Sequence, residues 1–559
     1  MPDHDDLLAA ARWHPEPELI AYGEEATARA ALERLGAETW RTALDYLYEH
    51  GVQRGIAPIT YPGLRRDFFA PSGGRPARAP VEPTTSGEVL AEFRERLAPY
   101  LLNAYHPGTF SYITPTPLPM SIAGEVLAQW ANQGIDVWGC GPAGAFVEEE
   151  VIRWLGDLVG YARDGTEARP ESFGVLTSGG TMANLMAMLV AREVHLPRRL
   201  EVADAGLPAP AALDQAALVA AGLRPYPPPP RGRALEGWRV YTSDQTHFSI
   251  AKALDVLGFP GDTLAIVPAD ERFRLRGAAV EEQVAADLAA GLRPLAISAV
   301  AGSTNTGSVD ATGELADVAA RHGLWLHVDA AYGGAALLSR RDAPRVPHLA
   351  RADSITIDPH KWFFQAYDIG GLLVRRREDL EQTFHRRPEY YRTAHHEEDP
   401  LNWYELALEG TRRWRALKLW MSWKHVGTEG FGRLVEANDD LAAHLADRIA
   451  AAADLEGIPD GRPELSIVCF RHLPGGAETA AALEAADPGA LDRYTDRLAT
   501  LLQQSGEGWL STTILRGRTY LRAGIVNFLS SPAAADRLLA ALRRLSPDAA
   551  RAAGLRPVD

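Results

Sequence analysis

The central part of the chain alternates short apolar runs with helix-length amphipathic stretches. The intervening stretches, such as AAVEEQVAADLAAGL and GELADVAARHG, carry apolar residues three or four positions apart, which is helical spacing. Strands that alternate with helices in this way predict an α/β fold with a mostly parallel sheet covered by helices. The predicted strands lie at 173–177, 238–243, 263–267, 295–300, 324–328 and 354–357.

The pattern differs on both sides of this region. The first 75 residues have apolar positions at helical spacing, which predicts helices that pack on their own core or form an arm against a second subunit. After about residue 430, the order helix, strand, helix, two strands and helix predicts a smaller α+β domain. We therefore predict an N-terminal helical segment at 1–115, a large domain at 116–425 and a small domain at 426–559. The Pro- and Ala-rich stretch at 201–236 is typical of a surface insertion.

Composition and charge narrow the class of protein. The chain has 57 Lys plus Arg and 73 Asp plus Glu, and the formal net charge of −16 disfavours binding to nucleic acids or anionic membranes. The two cysteines, Cys140 and Cys469, are too few for a disulfide framework or a Cys-rich zinc site. The N-terminal sequence lacks a signal-type apolar core, and no run approaches the length of a membrane span. We expect a cytoplasmic protein.

Polar residues follow several of the predicted strands, at the edge where parallel sheets bind ligands. Gly179, Gly180 and Thr181 open a helix after the first strand, so their backbone N–H groups and hydroxyl could bind an anion. An ordinary turn with Thr181 as the helix N-cap explains them as well. Asp329 ends the strand at 324–328 and could keep a cofactor ring nitrogen protonated by pairing with it. An N-cap or a metal ligand is the alternative for this carboxylate.

Three further strand ends carry candidate groups. Lys361 follows the strand at 354–357 among aromatic residues, and burial there would favour the neutral amine that Schiff-base chemistry needs. His247 begins a helix and could lie on an aromatic cofactor ring, although a capping or core histidine is the alternative. The segment 303–306 offers hydroxyls and an amide, or is a plain polar turn. The succession of these groups at strand ends of one α/β unit points to a single site.

These segments resemble the pyridoxal-5′-phosphate-dependent group II amino-acid decarboxylases, such as the aromatic L-amino acid, glutamate, histidine and 2,4-diaminobutyrate decarboxylases. The resemblance covers roughly residues 100–425, and SITIDPHKWFF followed by GGLLVRR is its most specific part. It implies a fold type I enzyme with pyridoxal 5′-phosphate as its cofactor, an amino acid as its substrate and a homodimeric assembly.

The resemblance also implies roles for individual residues. Lys361 would be the Schiff-base lysine, and Asp329 would pair with the pyridine nitrogen. His247 would stack on the cofactor ring and help to move a proton. Tyr390, in the loop segment FHRRPEYYRTAHH, would protonate the substrate carbon. The remaining cofactor-binding residues would be Gly179, Gly180, Thr181, Thr304, Ala331 and His360.

Three positions bear on how closely the chain follows the family. Asp358 stands where the aromatic-acid enzymes typically carry an asparagine, and an ionised carboxylate there would repel the cofactor phosphate. The sequence around Tyr112 differs from the pocket of the animal aromatic enzymes. Arg412 lies in a stretch that resembles the family sequence before the small domain, which suggests an active-site neighbour.

The predicted reaction is decarboxylation of an L-amino acid to an amine and CO₂, with an aromatic substrate favoured on family frequency. The alternatives are 2,4-diaminobutyrate, glutamate or another acidic amino acid. An aldehyde synthase of the same family is a further alternative, but that subgroup commonly carries phenylalanine at the position of Tyr390. A desulfurase of the family would need a cysteine in the loop segment that contains Tyr390, and both cysteines lie elsewhere. A non-catalytic relative would usually lack Lys361 or Asp329, and this chain has both.

Overall fold

The computed structural model describes residues 14–19, 25–51, 61–69, 79–161, 172–195, 235–385, 401–458 and 463–555. The chain divides into two compact units. The first comprises 1–110, 472–512 and 529–559, and the second comprises 111–471 and 513–528. Among the described residues, no helix combines the length and the apolar character that a membrane span requires. The three-part division predicted from the sequence stays a prediction.

The second unit is built on a seven-stranded sheet. Strands β2 to β6 pair in parallel, whereas β7 runs antiparallel to both of its neighbours, β1 and β6. The spatial order is β1-β7-β6-β5-β4-β2-β3. The predicted α/β fold with a mostly parallel sheet is confirmed, and the six predicted strands match β1 to β6. The strands are Phe173–Thr177, Trp238–Ser243, Leu264–Val267, Arg293–Val300, Trp325–Asp329, Ser354–Ile357 and Gly370–Val374.

The described residues form fourteen α-helices, of which α4 to α11 lie in the second unit. Helix α11 contains one residue with non-helical geometry, Gly427, whose positive φ of 66° bends the helix and favours glycine. The helices α1 to α14 are Glu25–Asp45, Tyr61–Phe69, Ser86–Glu92, Pro119–Ala131, Pro142–Val159, Gly180–Val190, Ser249–Val256, Gly277–Ala289, Thr312–His322, Arg377–Phe384, Ala416–Ala450, Ala477–Ala486, Ala490–Ser505 and Pro532–Ala552.

A second, smaller sheet is formed near the C-terminus by β8 to β11, in the spatial order β10-β11-β9-β8. These strands are Leu455–Gly457, Ile467–His472, Ser511–Leu515 and Arg518–Gly524. The predicted C-terminal α+β pattern is therefore confirmed, apart from two elements that the sequence did not predict. Helix α12 escapes prediction because its run of alanines gives no contrast between an apolar and a polar face. Strand β8 has only three residues, too few for a recognisable alternation.

The central strands are buried along their full length. Every residue of β5 and β6 is buried, because helices cover both faces of a parallel sheet. The burial includes the polar residues of these strands, such as His327 on β5 and Ser354 and Thr356 on β6. The parallel arrangement places the residues that follow the strands at one edge of the sheet, since parallel strands end on the same side.

Candidate active site

A cavity of about 380 Å³ lies at the carboxyl ends of the parallel strands. Asp329 is the last residue of β5, His247 lies four residues beyond β2, and Lys361 lies four residues beyond β6. Nine of the ten site residues predicted from the sequence line this cavity, and the tenth, Tyr390, lies outside the described residues. The nine are Gly179, Gly180, Thr181, His247, Thr304, Asp329, Ala331, His360 and Lys361.

The turn between β1 and α6 is built for close approach of the backbone. A Cβ atom on Gly180 would lie 2.8 Å from Oδ2 of Asp358, and one on Gly370 would lie 2.5 Å from Cα of Gly179. A side chain at position 180 would therefore displace the Asp358 carboxylate, and one at position 370 would displace the backbone of the turn. The turn leads directly into α6, whose N-terminus offers backbone N–H groups and a favourable dipole to an anion in the cavity.

Lys361, which is half-buried, forms an ion pair with the buried Asp358. Its Nζ lies 3.2 Å from Oδ2 of Asp358, which also lies 3.5 Å from Nε2 of His360. Burial lowers the pKa of Lys361, but the carboxylates of Asp358 and Asp329 outweigh it, and the pKa is raised above its usual value. The prediction that burial would favour the neutral amine is therefore wrong, because the sequence did not reveal how closely the two carboxylates approach the ammonium group.

Asp358 is itself buried, and its pKa lies below the usual range. Burial raises this pKa, but the charges of Lys361 and His360 and their hydrogen bonds to Asp358 lower it by more than burial raises it. Its Oδ2 faces the amine, while its Oδ1 has no hydrogen-bond partner among the described residues. The carboxylate lines the cavity beside the glycine turn. It is thus placed to hold the amine in its charged form and to repel an anion bound at the turn.

Replacing Asp358 by asparagine is expected to accelerate capture of an aldehyde cofactor by Lys361. Without the carboxylate the pKa of Lys361 falls, and each unit of pKa lost multiplies the reactive neutral fraction at neutral pH by about 10. The rate of capture, followed by absorbance from acid to alkaline pH, should rise with pH in the wild type. The profile of the Asp358→Asn variant should lie at lower pH.

A matched control for this variant is Asp353→Asn. Asp353 directly precedes β6, whereas Asp358 directly follows it, so the control makes the same change at the opposite end of one strand. Asp353 does not line the cavity and should leave the profile unchanged. Coincident pH profiles for wild type and Asp358→Asn would show that Asp358 does not control the amine.

Asp329 is held in the cavity by two neutral donors. Its Oδ1 accepts the backbone N–H of Ala331 at 3.1 Å, and its Oδ2 accepts the side-chain amide of Asn184 at 2.7 Å. Both donors fix the carboxylate without neutralising its charge. An anionic, oriented carboxylate of this kind stabilises a proton on a nitrogen within hydrogen-bond distance.

His247 is half-buried at the side of the cavity. Its ring centroid lies 4.2 Å from that of Phe248, and its Nδ1 lies 2.8 Å from Oγ of Ser249. Burial lowers the pKa of His247, with a smaller opposing effect from Asp329. The imidazole is therefore neutral at physiological pH and can donate a hydrogen bond through one nitrogen only.

Sequence reasoning missed Asn184, which lines the cavity from α6. The sequence did contain a signal for it, because Asn184 is the one polar residue in the otherwise apolar helical run MANLMAMLV. A polar side chain on such a helix must find buried hydrogen-bond partners. Arg412 does not line the cavity. Its buried guanidinium donates hydrogen bonds to Glu148 and to the carbonyl oxygen of Leu176 on β1, so it stabilises this strand and does not contact the cavity.

The chain matches the family model of the pyridoxal-dependent decarboxylase conserved domain over residues 72–220 and 233–473. It belongs to the pyridoxal-dependent decarboxylases. The aromatic-L-amino-acid decarboxylase of Bacillus atrophaeus is 31% identical over 423 residues, which cover 76% of this chain and 77% of that protein. The L-2,4-diaminobutyrate decarboxylase of Acinetobacter baumannii is 29% identical over 400 residues, 71% of this chain and 74% of that one.

Solved structures agree with this assignment. The structure of Oryza sativa TDC with PLP and tryptamine superposes with a TM-score of 0.78 at 25% identity, covering 94% of this chain and 99% of that one. Mouse CSAD gives a TM-score of 0.77 at 25% identity, covering 92% and 99%. The protein is a carboxy-lyase of fold type I, and pyridoxal phosphate is its cofactor.

The cavity of this decarboxylase fits its cofactor. Its volume of about 380 Å³ is in the range of cofactor pockets. The glycine turn at the start of α6 suits a phosphate, and the amine of Lys361 suits an aldehyde. The oriented carboxylate of Asp329 suits a protonated pyridine nitrogen. Groups with chemistry suited to these three parts of the cofactor thus line one cavity.

Proposed function

We propose that this enzyme decarboxylates an aromatic L-amino acid to the corresponding amine and CO₂. The observation that carries the proposal is the presence of Lys361, Asp329 and the glycine turn in one cavity beside an exposed aromatic ring. That ring belongs to Phe248, whose surface is 66% exposed although it lines the cavity. It offers an apolar face to a substrate side chain, which is how aromatic groups are commonly bound.

Each of the nine predicted site residues that line the cavity has a task in this proposal. Pyridoxal phosphate, when bound, accepts the electrons released as the Cα–carboxylate bond breaks. Lys361 would hold the cofactor through its amine, and Gly179, Gly180 and Thr181 would bind its phosphate. Asp329 would keep the proton on its ring nitrogen, while Ala331, Thr304 and His360 would pack around it.

Two groups would move protons. Tyr390 would protonate the substrate carbon after CO₂ has left, and His247 would assist from the cavity wall. Because the imidazole of His247 is neutral, it can assist proton transfer without adding a positive charge to the cavity. A positioned proton donor of this kind typically contributes about 10²–10⁴-fold to the rate.

The charges in the cavity support an aromatic rather than an acidic substrate. Among its described lining residues there is no arginine, and Lys361 is already paired with Asp358. A second carboxylate, as in glutamate, or a sulfinate would therefore lack a cationic partner there and would face two carboxylates. The second candidate is 2,4-diaminobutyrate, which is supported by two relatives that are 29% and 30% identical to this chain.

Scoring CO₂ release from all common L-amino acids and 2,4-diaminobutyrate tests the substrate proposal. We expect the highest kcat/KM with tryptophan, tyrosine or phenylalanine, and an amine as the product. Higher values with glutamate or cysteine sulfinate would contradict the proposal. Ammonia and peroxide in amounts equal to CO₂ would instead identify an aldehyde synthase.

Asp329→Asn is expected to slow decarboxylation by about 10–10³-fold. Loss of the carboxylate charge should lower the pKa of the cofactor ring nitrogen by about 1–3 units, and the protonated fraction of that nitrogen falls by the same factor. The amide cannot keep the ring nitrogen protonated, so the visible spectrum of the bound cofactor should change as well. Asp287→Asn is the control, because Asp287 is a buried aspartate of α8 that does not line the cavity. Equal spectra for wild type and Asp329→Asn would argue against the ring-nitrogen role.

A homodimeric assembly and a cytoplasmic location remain part of the proposal. The first is supported by the sequence resemblance to a family that forms dimers. The second is supported by the two cysteines, Cys140 and Cys469, which form no disulfide with each other. Sedimentation of the purified enzyme and fractionation of cells test the two expectations separately.

A further inference from the structure

In the wall of the cavity, Asn184 connects two of the groups that act in the proposed reaction. The residue is 1% exposed and lies in the second turn of α6. Its amide nitrogen donates to Oδ2 of Asp329 at 2.7 Å and to Oγ of Ser249 at 2.9 Å. Because the carboxylate can only accept hydrogen bonds, the amide nitrogen must be the atom that faces it.

The amide oxygen is held from the opposite side. It accepts the hydroxyl of Thr356 at 2.7 Å and lies 3.0 Å from Nε2 of His327. Burial lowers the pKa of His327 to about 4, so this imidazole is neutral and its Nε2 carries the proton that the oxygen accepts. The Nδ1 of His327 is in turn 2.9 Å from Oγ of Ser354. The orientation of the amide is thus fixed by buried groups on two strands.

Ser249 extends this arrangement to His247. The backbone N–H of Ser249 points to Nδ1 of His247 at 3.4 Å, which makes Nδ1 an acceptor. Its hydroxyl accepts from Asn184, and its own proton can then be donated to Nδ1 of His247 at 2.8 Å. A neutral imidazole with Nδ1 as acceptor carries its proton on Nε2.

We infer that Asn184 is a positioning residue whose single amide orients the Asp329 carboxylate and selects the Nε2-protonated tautomer of His247. The inference rests on the proposed roles of these two residues. It explains why an amide stands in an otherwise apolar helical run. It also couples two tasks, because a change of the amide disturbs both the group that holds the ring nitrogen and the group that moves a proton.

Asn184→Asp tests whether Asn184 orients the Asp329 carboxylate. The new carboxylate keeps the volume of the amide but faces Asp329 at hydrogen-bond distance, and two such carboxylates cannot both stay ionised. Pyridoxal phosphate should therefore bind at least ~10-fold more weakly at neutral pH, and the visible spectrum of the bound cofactor should change. Both defects should shrink as the pH falls and the pair takes up a proton, which a merely structural defect would not do.

Asn402→Asp is the matched control for this variant. Asn402 is also a buried asparagine of the second unit, and its Oδ1 accepts the backbone N–H of Trp138, an interaction that aspartate retains. It does not line the cavity. If Asn184→Asp matches Asn402→Asp in cofactor affinity and spectrum at every pH, the inference is overturned.

Ser249→Ala tests whether Asn184 acts on His247 through the hydroxyl of Ser249. This change removes the hydroxyl that links Asn184 to Nδ1 of His247, and it leaves the hydrogen bond between Asn184 and Asp329 in place. We expect cofactor affinity to stay near that of the wild type while kcat falls by about 10-fold, less than the loss of a whole proton-transfer group, because the backbone N–H of residue 249 still faces Nδ1 of His247. A loss of cofactor affinity as large as that of Asn184→Asp, or an unchanged kcat, would contradict the arrangement.

Nitrogen NMR of histidine-labelled wild-type enzyme needs no variant and holds even if Asn184→Asp does not fold. His247 should show an unprotonated Nδ1 and a protonated Nε2 at neutral pH, and the reverse would overturn the inference. The cofactor and NMR measurements use no substrate. An enzyme that showed the expected tautomer and cofactor binding but released no CO₂ would refute the proposed function and leave the positioning role of Asn184 standing.

Discussion

Lys361→Arg is expected to lower kcat by more than about 10⁴-fold, beyond what loss of a proton-transfer group alone would cause. Arginine keeps the positive charge that Asp358 pairs with, so the buried carboxylate does not lose its partner. It cannot supply a neutral amine to an aldehyde, because its pKa is too high. The fold should therefore persist while covalent attachment of the cofactor is lost. Steady-state CO₂ release and the cofactor spectrum measure the two effects.

Lys418→Arg is the control for this prediction. Lys418 is buried, and its Nζ lies 2.7 Å from Oε2 of Glu125, so the change replaces another paired lysine of the same unit by arginine. It does not line the cavity. A similar loss of activity in both variants would indicate general damage, and wild-type activity in Lys361→Arg would contradict the assigned role.

Tyr390→Phe is expected to lower kcat by about 10²–10⁴-fold, the usual contribution of a positioned general acid. The variant keeps the ring and loses only the hydroxyl, so pyridoxal phosphate should bind with unchanged affinity. The products should be measured together with the rate. The sequence resemblance indicates that phenylalanine at this position accompanies aldehyde synthesis, so ammonia and peroxide should rise relative to the amine.

The neighbouring Tyr391 provides a matched control, because Tyr391→Phe removes the same hydroxyl one residue away. The control should retain wild-type kcat and amine formation. If Tyr391→Phe is impaired and Tyr390→Phe is not, the resemblance has assigned the proton donor to the wrong tyrosine.

The fold and most of the site followed from local patterns in the sequence. Fully buried parallel strands appear as apolar runs, and the ends of such strands meet at one edge of the sheet. The order of Gly179, His247, Thr304, Asp329 and Lys361 after successive strands was therefore enough to bring them together, and all five line the cavity. The family resemblance added the cofactor, which strand ends alone do not specify.

Interactions between distant segments were not predictable in the same way. The rise in the pKa of Lys361 depends on its distance from Asp358 and on the charge of Asp329, a residue 32 positions earlier in the chain. The role of Asn184 depends on donors from β5 and β6 that meet it only in the folded protein. The antiparallel strand β7 was missed because it begins with two glycines, which have low strand propensity and leave an apolar run of only three residues.

Borohydride reduction of the cofactor-loaded enzyme, followed by peptide mapping, tests the central claim most directly. The chain has four lysines, at positions 252, 361, 418 and 424, so the attachment site can be assigned without ambiguity. We expect one reduced pyridoxyl group per chain, carried by Lys361. A pyridoxyl group on Lys252, Lys418 or Lys424, or none after reduction, would contradict it.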